Sequence, residues 1–267
     1  MLPITSHLRI VDHRKQDHIE LSSGTHCEHD PATGHDAFYA NPDWRPIPSH
    51  ELAALQRQGQ KSTSRIVFFD FGHNFVARCR RYITPEVFQA NAAVNQRKLA
   101  LQEIKQDHTH CLEEFCSVQI VQDGPADLVI HRPHQRSTAF NYDTNTFMGL
   151  HIDNHQRYPL TERWRSYHLS CVNLGSTYRY FQFVNLTTLD LLDCLYPPGS
   201  YDDLSLLTTH SLKSRFLSQY PHYPIFRVRL EPGQGYICNT QDTIHDGATN
   251  ENDAPDVSFL FSFSPQL

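Results

Sequence analysis

The sequence predicts a mainly β protein, a sandwich or barrel flanked by one or two helices. From residue 145 onward, short runs rich in β-branched and aromatic residues are separated by turn-forming residues. Helical periodicity precedes these runs and does not alternate with them, which excludes a βαβ architecture. A chain of 267 residues, 39% of them apolar, can form one large domain without disulfides or a structural metal. We therefore expect a single domain over residues 1–267.

Residues 1–144 are expected to supply helices and accessory strands. The first 50 residues are polar and weakly periodic, which predicts loops and short elements. HCEHD at 26–30 is interpreted as a solvated loop, because no second ligand pair lies at the spacing of a zinc finger. Further patterns predict a buried strand at 66–70, a helix at 84–105 that Thr84 caps and Pro85 begins, and two strands, 116–122 and 126–132, joined by a turn across Asp123-Gly124-Pro125.

Residues 145–267 are expected to form the β core. The predicted strands are 146–154, 165–174, 178–186, 225–232, 235–240, 243–248 and 257–264. Phe259, Phe261 and Phe263 alternate along the last strand, which predicts a packed face. Residues 187–220 interrupt the strands with Pro197-Pro198-Gly199 and a candidate helix at 204–220, and they are long for a plain connection.

Composition excludes several classes of function. The net charge is −6 and there is no basic block, so nucleic acid and anionic membranes are not expected partners. No apolar run approaches the roughly 18 residues of a membrane span, and the first residues lack the apolar stretch of a secretory signal. Seven cysteines without a CxxC pair indicate free thiols, so we expect a cytoplasmic location. The absence of phosphate-binding and GxSxG motifs excludes nucleotide cofactors and serine hydrolysis.

The sharpest group of potential metal ligands is His151-Ile152-Asp153 together with His245. Residues i and i+2 of a strand project from the same face, so His151 and Asp153 can both point into a barrel while Ile152 packs outward. Two imidazoles and a carboxylate in a facial arrangement suit Fe(II) and leave coordination positions open. With 18 histidines in the chain an HxD tripeptide can arise by chance, so the flanking sequence matters. We interpret His151, Asp153 and His245 as metal ligands and catalytic residues.

The stretch from about 145 to 264 resembles the double-stranded β-helix of the Fe(II)/2-oxoglutarate-dependent dioxygenases. The resemblance rests on GLHID at 149–153 on the second core strand, a PGxG turn at 232–235, IHDGA at 244–248 on the seventh strand, and an apolar eighth strand. It covers under half of the chain. It implies a jelly-roll or cupin-like core with flanking helices, an iron site at the three ligands, and 2-oxoglutarate and O2 as cosubstrates.

One position departs from the pattern of that superfamily. Many members carry an Arg some ten residues beyond the distal His, where it pairs with the far carboxylate of 2-oxoglutarate, and a Ser two residues later. Here Asp256 replaces the Arg, Ser258 is kept, and no Lys or Arg follows His245. A buried carboxylate needs a cationic partner, so an earlier strand is expected to supply it. The candidates are Arg165, which is preferred because it is placed at the start of the next core strand, then Arg163 and Arg179, with Arg227 and Arg229 behind them; Asn173, Tyr167 and Ser258 are polar groups that could orient the cosubstrate.

The sequence thus predicts an Fe(II)- and 2-oxoglutarate-dependent oxygenase that hydroxylates, desaturates or cyclises a small polar metabolite, such as a free amino acid or its derivative. Asp153 argues against halogenation, because chloride needs the position that the carboxylate fills. Two alternatives stay open, a cupin-like metalloenzyme that does not use 2-oxoglutarate and a non-catalytic β-barrel binding module. The insert at 187–220 is expected to cap the barrel mouth and help select the substrate. The sequence predicts neither the substrate nor the oligomeric state.

Overall fold

A computed structural model describes residues 8–14, 19–59, 62, 64–84, 94–197 and 207–266. Within these residues the strands are β1 (Arg9–Asp12), β2 (Ile19–Leu21), β3 (Thr25–Asp30), β4 (His35–Ala40), β5 (Arg45–Pro46), β6 (Arg65–Asp70), β7 (Gln119–His131), β8 (Phe140–Asn141), β9 (Thr146–Phe147), β10 (His168–Asn173), β11 (Arg179–Thr187), β12 (Phe226–Leu230), β13 (Gln234–Cys238), β14 (Thr243–Ala248) and β15 (Asp256–Gln266). The helices are α1 (Ser49–Gly59), α2 (Gly72–Arg80), α3 (Val94–Cys116), α4 (Thr188–Leu195) and α5 (Thr209–Gln219), and a 3₁₀ helix occupies Leu160–Arg165. None of these helices is long and apolar enough to cross a membrane.

Most of the strands form two facing sheets. The order is β1-β6-β13-β10-β15-β7 in the first sheet and β14-β11-β12-β2-β5 in the second. Beyond β14 the second sheet continues through two isolated bridges, His151 with His245 and Gly149 with Phe38. When the His151 segment is counted with the second sheet, the core strands from β7 to β15 alternate between the two sheets, apart from the adjacent pair β11 and β12 in the second sheet. This alternation is that of a double-stranded β-helix with flanking helices, which confirms the predicted fold class.

Strand β7 shows that the core begins earlier than residue 145. It runs antiparallel to β15 along its whole length, so the predicted turn across Asp123-Gly124-Pro125 is wrong. The register instead shifts by a bulge at this point. Because β7 is at the edge of the sheet, Pro125 removes no ladder hydrogen bond that the sheet needs. Glycine and proline therefore mark an edge-strand irregularity here and not the end of a strand.

Helices α2 and α3 cover the outer face of the first sheet. Phe259, Phe261 and Phe263 are fully buried beneath them, as the alternation along β15 predicts. Helix α3 continues to Cys116, beyond the predicted end at 105, while residues 85–93 of the predicted helix lie outside the described residues. The extension occurs because the buried stripe of Ile104 continues through His108.

The structure corrects two other predictions, one for residues 26–30 and one for the insert at 187–220. HCEHD at 26–30 is not a loop but strand β3, which forms a hairpin with β4, and β4 in turn borders the segment before His151. The described parts of the insert, α4 and α5, pack on Ile152 and Ile244 at the outer side of the second sheet. None of their described residues lines the cavity that contains His151, so these helices do not cap it. Residues 198–206 of the insert lie outside the described residues.

His108 is enclosed by aromatic rings within the first layer of the core. Phe259 lies closest, with ring centroids 5.2 Å apart, and Ser170 Oγ lies 3.1 Å from His108 Nε2. The other ring nitrogen, Nδ1, is buried without a hydrogen-bond partner. Burial lowers the pKa of His108 to about 3, because a charged imidazole would lose its hydration there. The ring is therefore neutral in the folded protein.

This histidine should make the protein sensitive to acid. An unfolded His titrates near pH 6.5, so between about pH 6.5 and pH 3 the unfolded state binds a proton that the native state does not, and stability falls as the pH is lowered. We expect His108→Phe to reduce the slope of unfolding free energy against pH by up to about 1.4 kcal/mol per pH unit in this window. Urea unfolding at several pH values measures the slope. The control is His110→Phe on the exposed side of the same helix, and equal slopes in the two variants would contradict this assignment.

Candidate metal centre

The two sheet segments that carry His151 and His245 are joined directly through their backbones. His151 N donates to His245 O at 3.0 Å, and His245 N donates to His151 O at 2.9 Å. This pairing places the imidazoles side by side, with ring centroids 4.4 Å apart. Asp153 follows two residues after His151, while Ile152 between them is buried in the outer cluster. His151 and Asp153 therefore lie on one face of the segment and Ile152 on the other, as the sequence predicts.

One ligand atom from each of His151, Asp153 and His245 lies within 4.8 Å of the others. Asp153 Oδ1 is 3.6 Å from His151 Nε2, and Asp153 Oδ2 is 3.8 Å from His245 Nε2. In both histidines Nδ1 donates to a backbone carbonyl, that of Gly149 at 2.9 Å and that of Thr243 at 3.0 Å. Because a carbonyl only accepts, this bonding leaves each Nε2 with its lone pair toward the centre of the group.

Gly149 is part of this arrangement because of its conformation. Its φ is +62°, and a Cβ at this position would overlap the carbonyl of Phe38 on β4. Leu150 N also donates to that carbonyl, at 2.8 Å. Hairpin β3–β4 therefore fixes the backbone that precedes His151, on the side opposite β14. Only glycine fits this contact at position 149.

The ionisation states of the three residues suit a cation. Burial would raise the pKa of Asp153, but the close approach of His151 and the charges of both histidines hold that pKa well below its usual range. Burial and the neighbouring His151 lower the pKa of His245 to about 4. For His151, burial lowers the pKa but the carboxylate of Asp153 outweighs it, so the net shift is upward. At neutral pH a divalent cation would thus meet an ionised carboxylate and, at His245, a neutral ring.

The residues present fit a divalent transition metal. Two imidazole nitrogens and one carboxylate on one side of a centre are the donor set of non-haem Fe(II) sites that keep positions open for other ligands. Among the described residues, this is the one group of three His, Cys, Asp or Glu side chains close enough to share an ion. The HCEHD segment of β3 forms no such group.

The three residues line a cavity of about 390 Å³ between the two sheets. Its rim contains exposed groups such as His155, whose side chain is 78% exposed and whose Nε2 is 3.7 Å from Asp153 Oδ1. Its inner end contains Arg179, which is 3% exposed, and Gly247, two residues beyond His245 on β14. The cavity therefore brings together an exposed polar rim, the metal ligands and a buried guanidinium.

Arg179 reaches from β11 of the second sheet to β15 of the first. One of its amino nitrogens, Nη1, lies 3.2 Å from Asp256 Oδ2, hydrogen bonds to Ser258 Oγ, and lies 3.5 Å from Cys171 Sγ. The other, Nη2, lies over Gly247, where any Cβ would overlap it. Burial lowers the pKa of Arg179, but the Asp256 carboxylate more than offsets this, so the side chain is a cation.

The sequence favours Arg165 over Arg179 as the cosubstrate anchor, because Arg165 is expected to begin the next core strand. That expectation is wrong. Residues 160–165 form a 3₁₀ helix, so Arg165 does not begin β10. Its side chain is half-exposed, pairs with Glu162 at 2.6 Å and does not line the cavity. Arg163 is buried, but its Nη2 donates to Asn154 Oδ1 at 2.6 Å, and it too is absent from the cavity wall.

Of the other candidate residues, some lie at the cavity or contact Arg179 and the rest do not. Ser258 contacts Arg179, and Tyr167 lines the cavity. Asn173 instead bonds the backbone at Thr177, Leu230 and Gly175, which is a structural role. Arg227 lies between the rings of Trp44 and Tyr180, and Arg229 lies over Tyr178; neither lines the cavity.

Sequence reasoning missed His131, Thr138, Tyr236 and Gly247, which also line the cavity. His131 is opposite Asp256 in the β7–β15 register, and its Nδ1 is 2.9 Å from Asp256 Oδ2. The position of Asp256 two residues before the retained Ser258 could have suggested a partner for Arg179. No local pattern identifies Thr138, whose place depends on the loop between β7 and β8.

Comparisons with known proteins find similarity at the level of solved structures. No protein-family model matches the chain, and no curated protein matches it. It is similar to the Kdo hydroxylase KdoO, a non-haem Fe(II) α-ketoglutarate-dependent dioxygenase in complex with cobalt(II), at 12% identity and a TM-score of 0.44, over 76% of this chain and 80% of that one. It is similar to the non-haem α-ketoglutarate-dependent epimerase SnoN from nogalamycin biosynthesis, at 13% identity and a TM-score of 0.41, over 80% and 82%. It is also similar to a variant of the iron- and α-ketoglutarate-dependent endoperoxidase NvfI, at 10% identity and a TM-score of 0.39, over 92% and 99%.

The same class of enzyme that the GLHID and IHDGA segments resemble is named among these solved structures.

The metal ligands can be tested without any assay of activity. We expect His151→Ala, Asp153→Ala and His245→Ala each to lower the affinity for Fe(II) or Co(II) by on the order of tenfold to a hundredfold or more, because a facial site with two ligands loses chelation. Anaerobic titration followed by metal analysis measures the affinity. His134→Ala, an exposed histidine, is the control, and parent-like metal content in His245→Ala would contradict the assignment.

Proposed function

We propose that this protein is an Fe(II)- and 2-oxoglutarate-dependent oxygenase that hydroxylates, or desaturates or cyclises, a small polar metabolite such as an amino acid derivative. One observation carries the proposal: the ligand group His151, Asp153 and His245 and the buried cation Arg179 line the same cavity. Metal ligands alone would fit many metalloenzymes. A buried guanidinium at the inner end adds the partner that the distal carboxylate of 2-oxoglutarate needs.

Each residue has a defined part in this proposal. When bound, Fe(II) supplies the redox chemistry by which O2 and 2-oxoglutarate oxidise a C–H bond of the substrate, with release of succinate and CO2. His151, Asp153 and His245 hold the ion and, as a facial set, leave positions for ligands on the cavity side. Arg179 orients the cosubstrate through its Nη2 edge, for which Gly247 leaves room. The two sheets exclude bulk water from the inner end.

The mouth of the cavity suits polar groups of a substrate. Tyr167 and His155 line it, and Gln241 joins its two sides by a reciprocal amide pair with Gln156. Gln241 Oε1 accepts from Gln156 N at 2.8 Å, and Gln241 Nε2 donates to Gln156 Oε1 at 3.0 Å. This pair fixes the segment after Asp153 to the loop before His245, so a substrate would meet a fixed polar rim.

A second candidate, a cupin-like metalloenzyme that does not use 2-oxoglutarate, is favoured by one observation. Arg179 already pairs with a carboxylate, that of Asp256, at 3.2 Å. A guanidinium that is neutralised in this way attracts a second anion less strongly than a free one. Formation of succinate in the presence of substrate, and binding of 2-oxoglutarate in its absence, distinguish the two functions.

Cosubstrate binding gives the direct test. We expect the anaerobic parent protein with Fe(II) to develop a visible metal-to-ligand charge-transfer band when 2-oxoglutarate is added. Arg179→Ala should weaken this binding by about 10- to 150-fold, the range expected for lost hydrogen bonds to a charged group. Arg165→Ala, an exposed arginine outside the cavity, should titrate like the parent.

The outcomes separate the two candidate functions. A band in the parent that Arg179→Ala weakens supports 2-oxoglutarate as cosubstrate. If the parent binds Fe(II) but shows no band and no 2-oxoglutarate consumption, the cupin-like function replaces it. If Arg165→Ala weakens binding and Arg179→Ala does not, the anchor has been misassigned.

A further inference from the structure

Three side chains hold the carboxylate of Asp256 at the inner end of the cavity. His131 Nδ1 lies 2.9 Å from Asp256 Oδ2, and Ser258 Oγ donates to Asp256 Oδ1 at 3.1 Å. The third is Arg179, whose Nη1 lies 3.2 Å from Oδ2. Burial would raise the pKa of this carboxyl, but the Arg179 charge and the His131 hydrogen bond outweigh it, so the pKa lies below its usual range. Asp256 is therefore a buried anion with fixed geometry.

The contacts of Asp256 occupy only one side of the Arg179 guanidinium. Nη1 is bound by Asp256 and Ser258, whereas Nη2 lies over Gly247 on the strand that carries His245. Asp246, which is also buried and lines the cavity, is the other acid whose charge acts on Arg179. Without Asp256, the carboxyl group left to act on this buried cation would therefore be that of Asp246, beside the metal ligand His245.

We infer that Asp256 and His131 are positioning residues that hold Arg179 with its Nη2 edge toward the cosubstrate. This inference rests on the proposed function, since it assigns a purpose to Arg179 in 2-oxoglutarate binding. Asp256 binds the Nη1 edge and leaves the other edge for the distal carboxylate of the ligand. His131, on the neighbouring strand β7, fixes Asp256 by contacting the same oxygen, Oδ2, that pairs with Arg179.

Positioning of Arg179 and simple charge repulsion predict opposite effects of replacing Asp256 on the affinity for 2-oxoglutarate. If Asp256 acted only as a like charge near the ligand, replacing it with the isosteric neutral Asn would strengthen binding of 2-oxoglutarate. If it orients Arg179, the same replacement weakens binding, because the guanidinium then turns away or spreads over several orientations. The direction of the change therefore decides between repulsion and positioning.

The experiment compares Asp256→Asn, Asp256→Glu and His131→Asn with the parent. Anaerobic titration of the Fe(II) proteins with 2-oxoglutarate, read by the charge-transfer band, gives the dissociation constants. We expect Asp256→Asn to raise the constant by on the order of tenfold or more, and His131→Asn to raise it by a smaller factor. Asp256→Glu, which keeps the charge, should recover part of the loss. Fe(II) affinity should be unchanged in all three.

A second readout does not depend on the loaded enzyme. A crystal structure of metal-free Asp256→Asn should show the Arg179 guanidinium displaced from Gly247 toward Asp246. The matched control is Asp12→Asn, which removes the carboxylate partner of another buried arginine, Arg14, at an ion pair of 2.6 Å outside the cavity. It should cost stability but leave 2-oxoglutarate binding at the parent value, which separates positioning from general loss of a buried ion pair.

Unchanged or tighter binding in Asp256→Asn would overturn the inference while leaving the proposed function in place. If that variant does not fold, His131→Asn and Asp256→Glu carry the test, and parent-like constants in both would overturn it. If the parent itself binds Fe(II) but not 2-oxoglutarate, the proposed function fails first and the inference fails with it.

Discussion

Two backbone hydrogen bonds between His151 and His245 determine where the rest of the site lies. The segment around His151 forms only an isolated bridge on each side, to β14 and to Phe38 of β4. Because it has no regular ladder, its position depends on both neighbours. Hairpin β3–β4 therefore has a role in the site, because it closes the side of the second sheet that carries the metal ligands. From this pairing follow the approach of the two rings and the position of Asp153 between their Nε2 atoms.

A second constraint is the cost of placing a cation between the sheets. Arg179 is 3% exposed, so its guanidinium has lost nearly all of its hydration. The ion pair with Asp256 and the contact with Ser258 compensate, and they also tie β11 of one sheet to β15 of the other. The acid on the last strand and the arginine on the earlier strand are therefore one unit. Removing either residue would deprive the other of its ion-pair partner in a buried site, which is destabilising.

The parts of this structure that the sequence predicts are those governed by local periodicity. Strand parity placed His151 and Asp153 on one face, and alternation along β15 placed Phe259, Phe261 and Phe263 in the core. The errors arise where the folded structure departs from what the local pattern indicates. Gly124 and Pro125 look like a turn until β15 is known to pair on both sides of them, and Arg165 looks like a strand residue until the 3₁₀ helix is seen. The pairing of Arg179 with Asp256 joins residues in different sheets, which no local pattern contains.

The exposure and charge of the residues that line the cavity constrain which ligands it can bind. The rim at His155 is open to solvent, the metal ligands are largely enclosed, and Arg179 is buried. Among the described residues that line the cavity, Arg179 is the single Lys or Arg. A substrate carboxylate would compete for that same charge, because the described rim offers hydrogen-bonding groups such as Tyr167 and Gln241 but no second fixed cation. Recognition of a substrate through neutral polar groups would therefore follow from one feature, a single buried cation among the described residues that line the cavity.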